Sequence, residues 1–275
     1  MKIPFINFKS FAIMAVMACA MAAANAQVLM FDFGPTLATG GSLTNSPYHT
    51  ANGSFTNTTW NRVQTADVGS GLLWSDGTAA TVVALNLGAT TTATTSSSTL
   101  ELANIPSNSN ALGTTINTGV YTGSSVGKDG IYTGSTGNAR AVGFQLSGLA
   151  AGTYDIYLTA RNTNTSVAHT QIMFLGASAT SGDFVLDGSG MASETLSIAA
   201  GTSSATSAWV DNSNYLKMTV VLSSGDVLNL ATLGGVAEAR GFLNSVQIVA
   251  VPEPATWALL AFSLTTVLVL RRREA

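Results

Sequence analysis

The stretch "GFQLSGLAAGTYDIYLTARNT", Gly143–Thr163, sets the fold class of this chain. It reads as a strand, a turn carrying Gly148 and Gly152, and a second strand, the pattern of an antiparallel hairpin or of a loop crossing between sheet edges. In the second strand Tyr154, Ile156, Leu158 and Ala160 fall on one face and Asp155, Tyr157, Thr159 and Arg161 on the other. The first set is expected to pack and the second to meet solvent.

Outward from this stretch the pattern repeats. Short apolar and β-branched runs begin at Val28 ("VLMFDFG"), Thr59 ("TWNRVQ"), Thr81 ("TVVALNLG"), Ala141 ("AVGFQLSG"), Thr170 ("TQIMFLG"), Tyr215 ("YLKMTVVLS") and Gly241 ("GFLNSVQIVAV"). Gly, Asn, Ser and Asp clusters separate them, and no long amphipathic helix interrupts. The expected fold class is therefore all-β, an antiparallel β-sandwich over residues 27–250. The low-complexity segments "ATTTATTSSST" from Ala89 and "GTSSATS" from Gly201 are expected as loops or an exposed polar edge. No repeat of fixed period argues for a propeller or solenoid.

Composition narrows the function classes. Charged residues are 9% of the 275, and Ser with Thr supply about a quarter, so hydroxyls and amides carry solubility. Residues 27–250 hold six Lys or Arg against twelve Asp or Glu, a net charge of −6, which leaves no basic surface for a phosphate backbone and excludes nucleic acid. The only cysteine, Cys19, precedes this region, so neither disulfides nor Cys-based metal sites are expected in it.

The two ends read as export signals. Residues 1–26 start basic with Lys2 and Lys9, run apolar from Phe11 to about Met21, and close on Ala24-Asn25-Ala26. That is the order of a cleavable signal peptide read by the Sec translocon, with the cut before Gln27. An uncleaved anchor, or lipidation at Cys19 in "VMAC", are the alternatives. At the other end Ala255–Leu270 is free of charge and spans roughly 24 Å as a helix, somewhat under a hydrocarbon core of about 30 Å. It reads as a single C-terminal transmembrane helix, with Arg271, Arg272 and Arg273 as its cytoplasmic stop and the preceding domain outside. Pro252-Glu253-Pro254 holds the junction extended, because neither proline can donate a backbone hydrogen bond.

A Pro-Glu-Pro triplet, an apolar segment and an arginine cluster, in that order over 251–275, resemble the PEP-CTERM sorting signal of Gram-negative bacteria. The resemblance implies processing by an exosortase, a transient stay at the inner membrane, and release to the cell surface or an extracellular polysaccharide matrix. The Gly143–Thr163 pair, the early "FDFGPT" and the last strand resemble secreted jelly-roll domains of the galactose-binding-like kind. That likeness implies eight or more strands and a sugar site at one end.

Chemistry-bearing residues are sparse. His49 and His169 form no ligand pair. Gly123-Ser124-Ser125-Val126-Gly127 fits G-x-S-x-G, but "KDGIYTGSTG" follows where that motif needs a helix, so it reads as a loop. Asp32, Asp129, Asp155, Asp183, Asp187 and Asp211 are candidate acids from which the sequence selects no glycosidase pair. Asp183 and Asp187 could hold a structural calcium, although EF-hand spacing is absent; no cofactor is otherwise expected. Tyr48, Trp60 and Trp74 lie among polar residues and are candidates to stack on a glycan, the plainer role for both tryptophans being core packing. The expected function is a non-enzymatic exported surface or matrix protein, with a carbohydrate-binding module as the alternative and a glycan-active hydrolase behind it.

Overall fold

The computed structural model describes residues 27–252 apart from 93, 107, 111–118, 122–125, 136, 166 and 200–207. The chain divides into two compact units: 27–250, and a second comprising 1–26 with 251–275, of which only Val251 and Pro252 are described. The strands are β1 (Val28–Phe33), β2 (Asn61–Val63), β3 (Ala84–Ala89), β4 (Thr99–Leu100), β5 (Asn108–Asn110), β6 (Gly130–Thr133), β7 (Ala141–Ser147), β8 (Gly152–Thr159), β9 (His169–Ser178), β10 (Phe184–Val185), β11 (Met191–Ile198), β12 (Leu216–Leu222), β13 (Val227–Gly234), β14 (Gly241–Leu243) and β15 (Ser245–Val251). One helical turn, α1 (Pro47–Ala51), opens on a proline at its N-terminus, where the missing N–H costs nothing.

Two five-stranded sheets face each other, ordered β12-β8-β15-β1-β2 and β11-β9-β13-β7-β3. Their facing sides form the main core: Leu29, Phe31, Ile156, Leu158, Val246 and Ile248 from the first meet Phe144, Leu146, Met173, Leu175, Leu228 and Leu230 from the second. Each such side chain contributes about 1.5–3 kcal/mol on full burial. Phe31, Phe33 and Phe144 cluster at its centre with centroids 5.9–6.1 Å apart. A three-stranded sheet, β14-β6-β5, and the β10-β4 pair complete the body.

The structure corrects the expected sandwich. It is a fold of several sheets and not a clearly closed jelly roll, and β1 pairs β2 in parallel. Both main sheets are also covered over part of their outer faces. Ala141, Phe174, Ala231 and Leu233 of the second sheet are buried by Leu100, Phe184 and Leu186. On the first sheet Met30, Asp32, Ser245 and Gln247 are buried beneath the segment that follows β1.

The β7–β8 connection crosses between the sheets and does not close a hairpin, since β7 and β8 belong to different sheets. Gly148 makes the turn at φ +82°, where a Cβ would stand 1.9 Å from the Val82 carbonyl oxygen. β8 keeps the alternation read from its sequence, and its first face packs into the core. Its second face is not solvated, however: Tyr157, Thr159 and Arg161 are all buried.

The single strand expected from Gly241 is broken at Asn244. β14 pairs β6, whereas β15 pairs β1. Asn244 occupies the corner, fully buried. Its Nδ2 donates to the Asp129 carbonyl (2.7 Å) and its Oδ1 accepts from the Arg161 amide (2.7 Å). Its own amide donates to the Thr159 carbonyl, and its carbonyl accepts from Phe33. One residue thereby joins three elements at the point where the chain changes sheet.

The expected signal segment 1–26 and the helix over 255–270 lie outside the described residues. Among the described residues no helix is long and apolar enough to cross a membrane. The single transmembrane helix and the transient inner-membrane anchoring built on it are therefore not retained; Arg271–Arg273 lie outside the described residues. Physically, an uncharged run of that length falls short of a hydrocarbon core.

Candidate functional site

The outer face of the first sheet carries the chain's densest set of aromatic contacts. β8 and β12 place Tyr157 opposite Lys217 and Asp155 opposite Thr219. The Lys217 ammonium sits 2.7 Å from Asp155 Oδ2 and 5.7 Å above the Tyr157 ring. The Thr219 hydroxyl donates to Asp155 Oδ1 at 2.7 Å. The hydrogen bond to Asp155 raises the Lys217 pKa, and burial raises that of Tyr157. The ammonium and phenol both stay protonated at neutral pH.

From Tyr157 a row of rings runs both ways. On one side lie Tyr48 at 5.3 Å and then Phe55, 4.8 Å beyond it. On the other lie Tyr215 at 6.0 Å, Trp209 at 6.5 Å from Tyr215, and Tyr121 edge-on to Trp209 at 5.1 Å. Arg161 caps the row, its guanidinium carbon 3.7 Å from the Tyr121 centroid. Such tilted and edge-on pairs favour association by about 0.5–1.5 kcal/mol each.

The two ends of the row differ in access. Tyr121 and Trp209 are buried and satisfied: Tyr121 donates to the Asn214 carbonyl and Trp209 Nε1 to Asn45 Oδ1. Burial pushes the Tyr121 phenol to about 12, the Arg161 charge opposing, and lowers Arg161 to about 10. Tyr48, Phe55 and Tyr215 are half-buried, offering ring surface outward on either side of buried Tyr157. Asn52 Nδ2 donates to the Tyr48 hydroxyl, and exposed Lys217 and half-buried Asp155 stand alongside.

Local sequence explains how Tyr48 reaches this face. Pro47 starts α1, and the Tyr48 amide donates to Gln247 Oε1 on β15, fixing the turn to the sheet. Ser46 donates to His49 Nδ1 at 2.6 Å, since Nε2, 2.8 Å from the Asn57 carbonyl, must carry the proton. Burial depresses the His49 pKa, so this Ser–His pair is a neutral brace for the loop. His169 is likewise buried and held neutral, between the Val167 carbonyl and the Asn162 amide.

The candidate glycan residues are not brought together as one set. Tyr48 joins the row. Trp60 is buried, its Nε1 donating to the Leu43 carbonyl, and Trp74 is half-buried against the main core. Tyr157 and Tyr215 are absent from the sequence-derived candidates; Tyr157 is the direct neighbour of Tyr48, and Tyr215 lies on the other side of Tyr157. The period-2 run Tyr215, Lys217, Thr219, Val221 was the signal that could have found the β12 side of the site.

Among the acids, Asp32 and Asp129 are close enough to feel each other's charge, and both are buried. Asp32 accepts from the Ala38 and Gly127 amides, and Asp129 from the Thr36 amide. Burial raises Asp32 to about 7 and raises Asp129 too. Through these bonds they hold loops onto β1. Asp155 is in the ion pair, Asp211 accepts from the Lys217 amide, and Asp183 accepts from Leu102 while the Asp187 amide donates to the Ser96 carbonyl. No three His, Cys, Asp or Glu side chains among the described residues converge as a metal site. Ser125, Ala24, Ala26, Glu253, Pro254 and Arg271–Arg273 lie outside the described residues; Gln27 and Pro252 are exposed.

Comparison with known proteins identifies one segment. Residues 250–273 match the PEP-CTERM protein-sorting motif. No curated protein matches the chain. Among solved structures there is weak similarity to TmCBM61 in complex with β-1,4-galactotriose, at 14% identity over 45% of this chain and 72% of that one, with a TM-score of 0.24. The Arthrobacter globiformis T6 isomalto-dextranase complexed with panose aligns at 19% identity over 44% of this chain and 18% of that one, also with a TM-score of 0.24. The chain thus bears the mark of an exported protein, processed by an exosortase-type system.

Proposed function

We propose that this is a non-catalytic exported protein of the cell surface or extracellular polysaccharide matrix that binds a neutral saccharide on the outer face of β8 and β12. The observation that carries the reading is the aromatic row: half-exposed Tyr48 and Tyr215 flank Tyr157 beside the Lys217–Asp155 ion pair. Pyranose rings present apolar C–H faces that stack on such side chains, while their hydroxyls need donors and acceptors at the rim. Lys217 and Asn52 supply donors, and Asp155 supplies acceptors.

The ion pair also serves specificity. An exposed Lys–Asp pair adds little stability of its own, about 0–1 kcal/mol, so its polar atoms are available to a ligand at small cost. Retention in the matrix would then follow from saccharide contact and not from a membrane anchor.

Affinity electrophoresis of the exported protein in gels containing neutral glucans, galactans or mannans tests this. Retardation by at least one polymer is expected, with Tyr48→Ala and Tyr215→Ala each weakening it about tenfold or more while the protein stays folded at the assay temperature, its thermal midpoint lowered by the lost ring contacts. Equal retardation of the native protein and both variants would remove the site.

A further inference from the structure

A second surface remains after the aromatic row is accounted for. On the three-stranded sheet Tyr132 of β6 pairs with Phe242 of β14 on one side and Asn108 of β5 on the other, so the three side chains share a face. Tyr132 and Phe242 stack at 5.3 Å and 26°. Tyr132 is half-buried and Asn108 exposed, so part of the tyrosine and the amide are accessible on the same face.

Two arginines border that face. Arg240 lies 5.4 Å over both rings, and its guanidinium is committed in bidentate fashion to Glu238, through Nε at 2.8 Å and Nη2 at 2.9 Å. Arg140 is bridged to Arg240 along the backbone. Its stem runs 3.2–3.5 Å from the place a Cβ at Gly134 would occupy, two residues beyond Tyr132, where the glycine leaves room for it. Arg140 has no carboxylate within ion-pair distance among the described residues, and its buried Nε has no hydrogen-bond partner.

Half-buried, with a buried Nε that no acceptor meets, Arg140 differs from the other cations of the body. Of the six cations in residues 27–250, Lys217 and Arg240 are paired with acids, Lys128 and Arg161 are buried, and Arg62 reaches the Pro35 carbonyl. Twelve carboxylates were available to pair with Arg140, yet Glu238 goes to its neighbour. An arginine without an acid partner, its stem packed by Gly134 two residues from half-buried Tyr132, is matched by a planar anion carried on a sugar ring.

We propose that this face is a separate subsite for an acidic saccharide, the ring resting on Tyr132, a carboxylate or sulfate ester on Arg140, and a hydroxyl on the Asn108 amide. Screening confines the repulsion from the body's net negative charge to about 8 Å at physiological salt, so it does not prevent the contact. The subsite stands apart from the row around Tyr157, and neither reading depends on the other.

The test is binding of the exported protein to polygalacturonate and to dextran sulfate by calorimetry, at two salt concentrations. Native protein is expected to bind at least one of them, more weakly at higher salt. Arg140→Gln should lower that affinity about tenfold or more, Arg140→Lys should recover part of it, and Tyr48→Ala should leave it unchanged. Binding to polygalacturonate alone assigns a uronate, and to dextran sulfate alone a sulfate ester. Failure of the native protein to bind either polymer, or equal binding by Arg140→Gln with an unchanged thermal midpoint, would overturn the proposal. Retention of neutral polymers by Tyr48 and Tyr215 reports on the other site and is unaffected by either result.

Discussion

At the residue scale, Asp32 is the group whose environment does most to couple folding to solution conditions. It lies on β1, buried, with backbone amides on both oxygens, Asp129 as a like charge and Lys128 as an opposing one. Burial dominates and lifts its pKa to about 7. Below about pH 4 the carboxyl is protonated in both folded and unfolded chains, and its contribution to stability is complete. As pH rises to about 7 the unfolded chain releases the proton while the folded chain keeps it, so this contribution is lost across that window. The loss is on the order of 3–4 kcal/mol. Urea denaturation at pH 5 and pH 8 should show the native protein less stable at pH 8, with Asp32→Asn giving a flatter dependence. An identical slope in both proteins would show that other groups carry the effect. Asn244 closes a sheet corner without charge, because its side-chain Nδ2 and Oδ1 and its backbone N–H and carbonyl each have a partner.

At the scale of elements, the β7–β8 connection decides how the body is built. Four residues carry the chain from one sheet to the other, and Leu149 within them enters the main core. Gly148 is the residue that permits it, both by its positive φ and by its approach to Val82. Gly148→Ala meets strain and a backbone clash together, and should cost about 3 kcal/mol or more. Thermal unfolding checks this: a large fall in midpoint is expected, whereas Gly137→Ala, also at positive φ but with open space around it, should lose much less. β15 has comparable weight for a different reason. It sits between β8 and β1 within its sheet, and its last residue, Val251, directly precedes the sorting triplet.

For the whole molecule, the ends of the body are adjacent. Val28 on β1 pairs with Val249 on β15, and the Ala250 amide donates to the Gln27 carbonyl at 3.1 Å. The residue after the expected signal cleavage and the residue before the sorting motif therefore lie side by side. A cut within Pro252–Pro254 would leave every residue of β15 in place. Mass spectrometry of the extracellular protein is expected to find an N-terminus at Gln27 and a C-terminus between Pro252 and Pro254. A mature form retaining Arg271–Arg273 would contradict processing at the motif.

Local patterns settled much of this in advance. Eight runs were read as strands, and each contains one, because alternation of apolar and polar side chains is written into consecutive residues. The sorting motif was equally legible, as an ordered series of residue types needing no tertiary context. What those patterns could not carry was the fate of the second face. Tyr157, Thr159 and Arg161 alternate as a solvated face would, and become buried only because distant segments bring Tyr48 and Tyr121 across them. Six of the described strands fall in none of the eight runs; the two longest of them are β11, whose outer residues are exposed and polar, and β13, whose "VLNLATLG" is buried on both faces and shows no alternation. The sequence alone determined the β class and the export address. Which rings meet, which arginine takes the acid, and where the chain changes sheets were decided by contacts between residues far apart in the chain, which no local periodicity encodes.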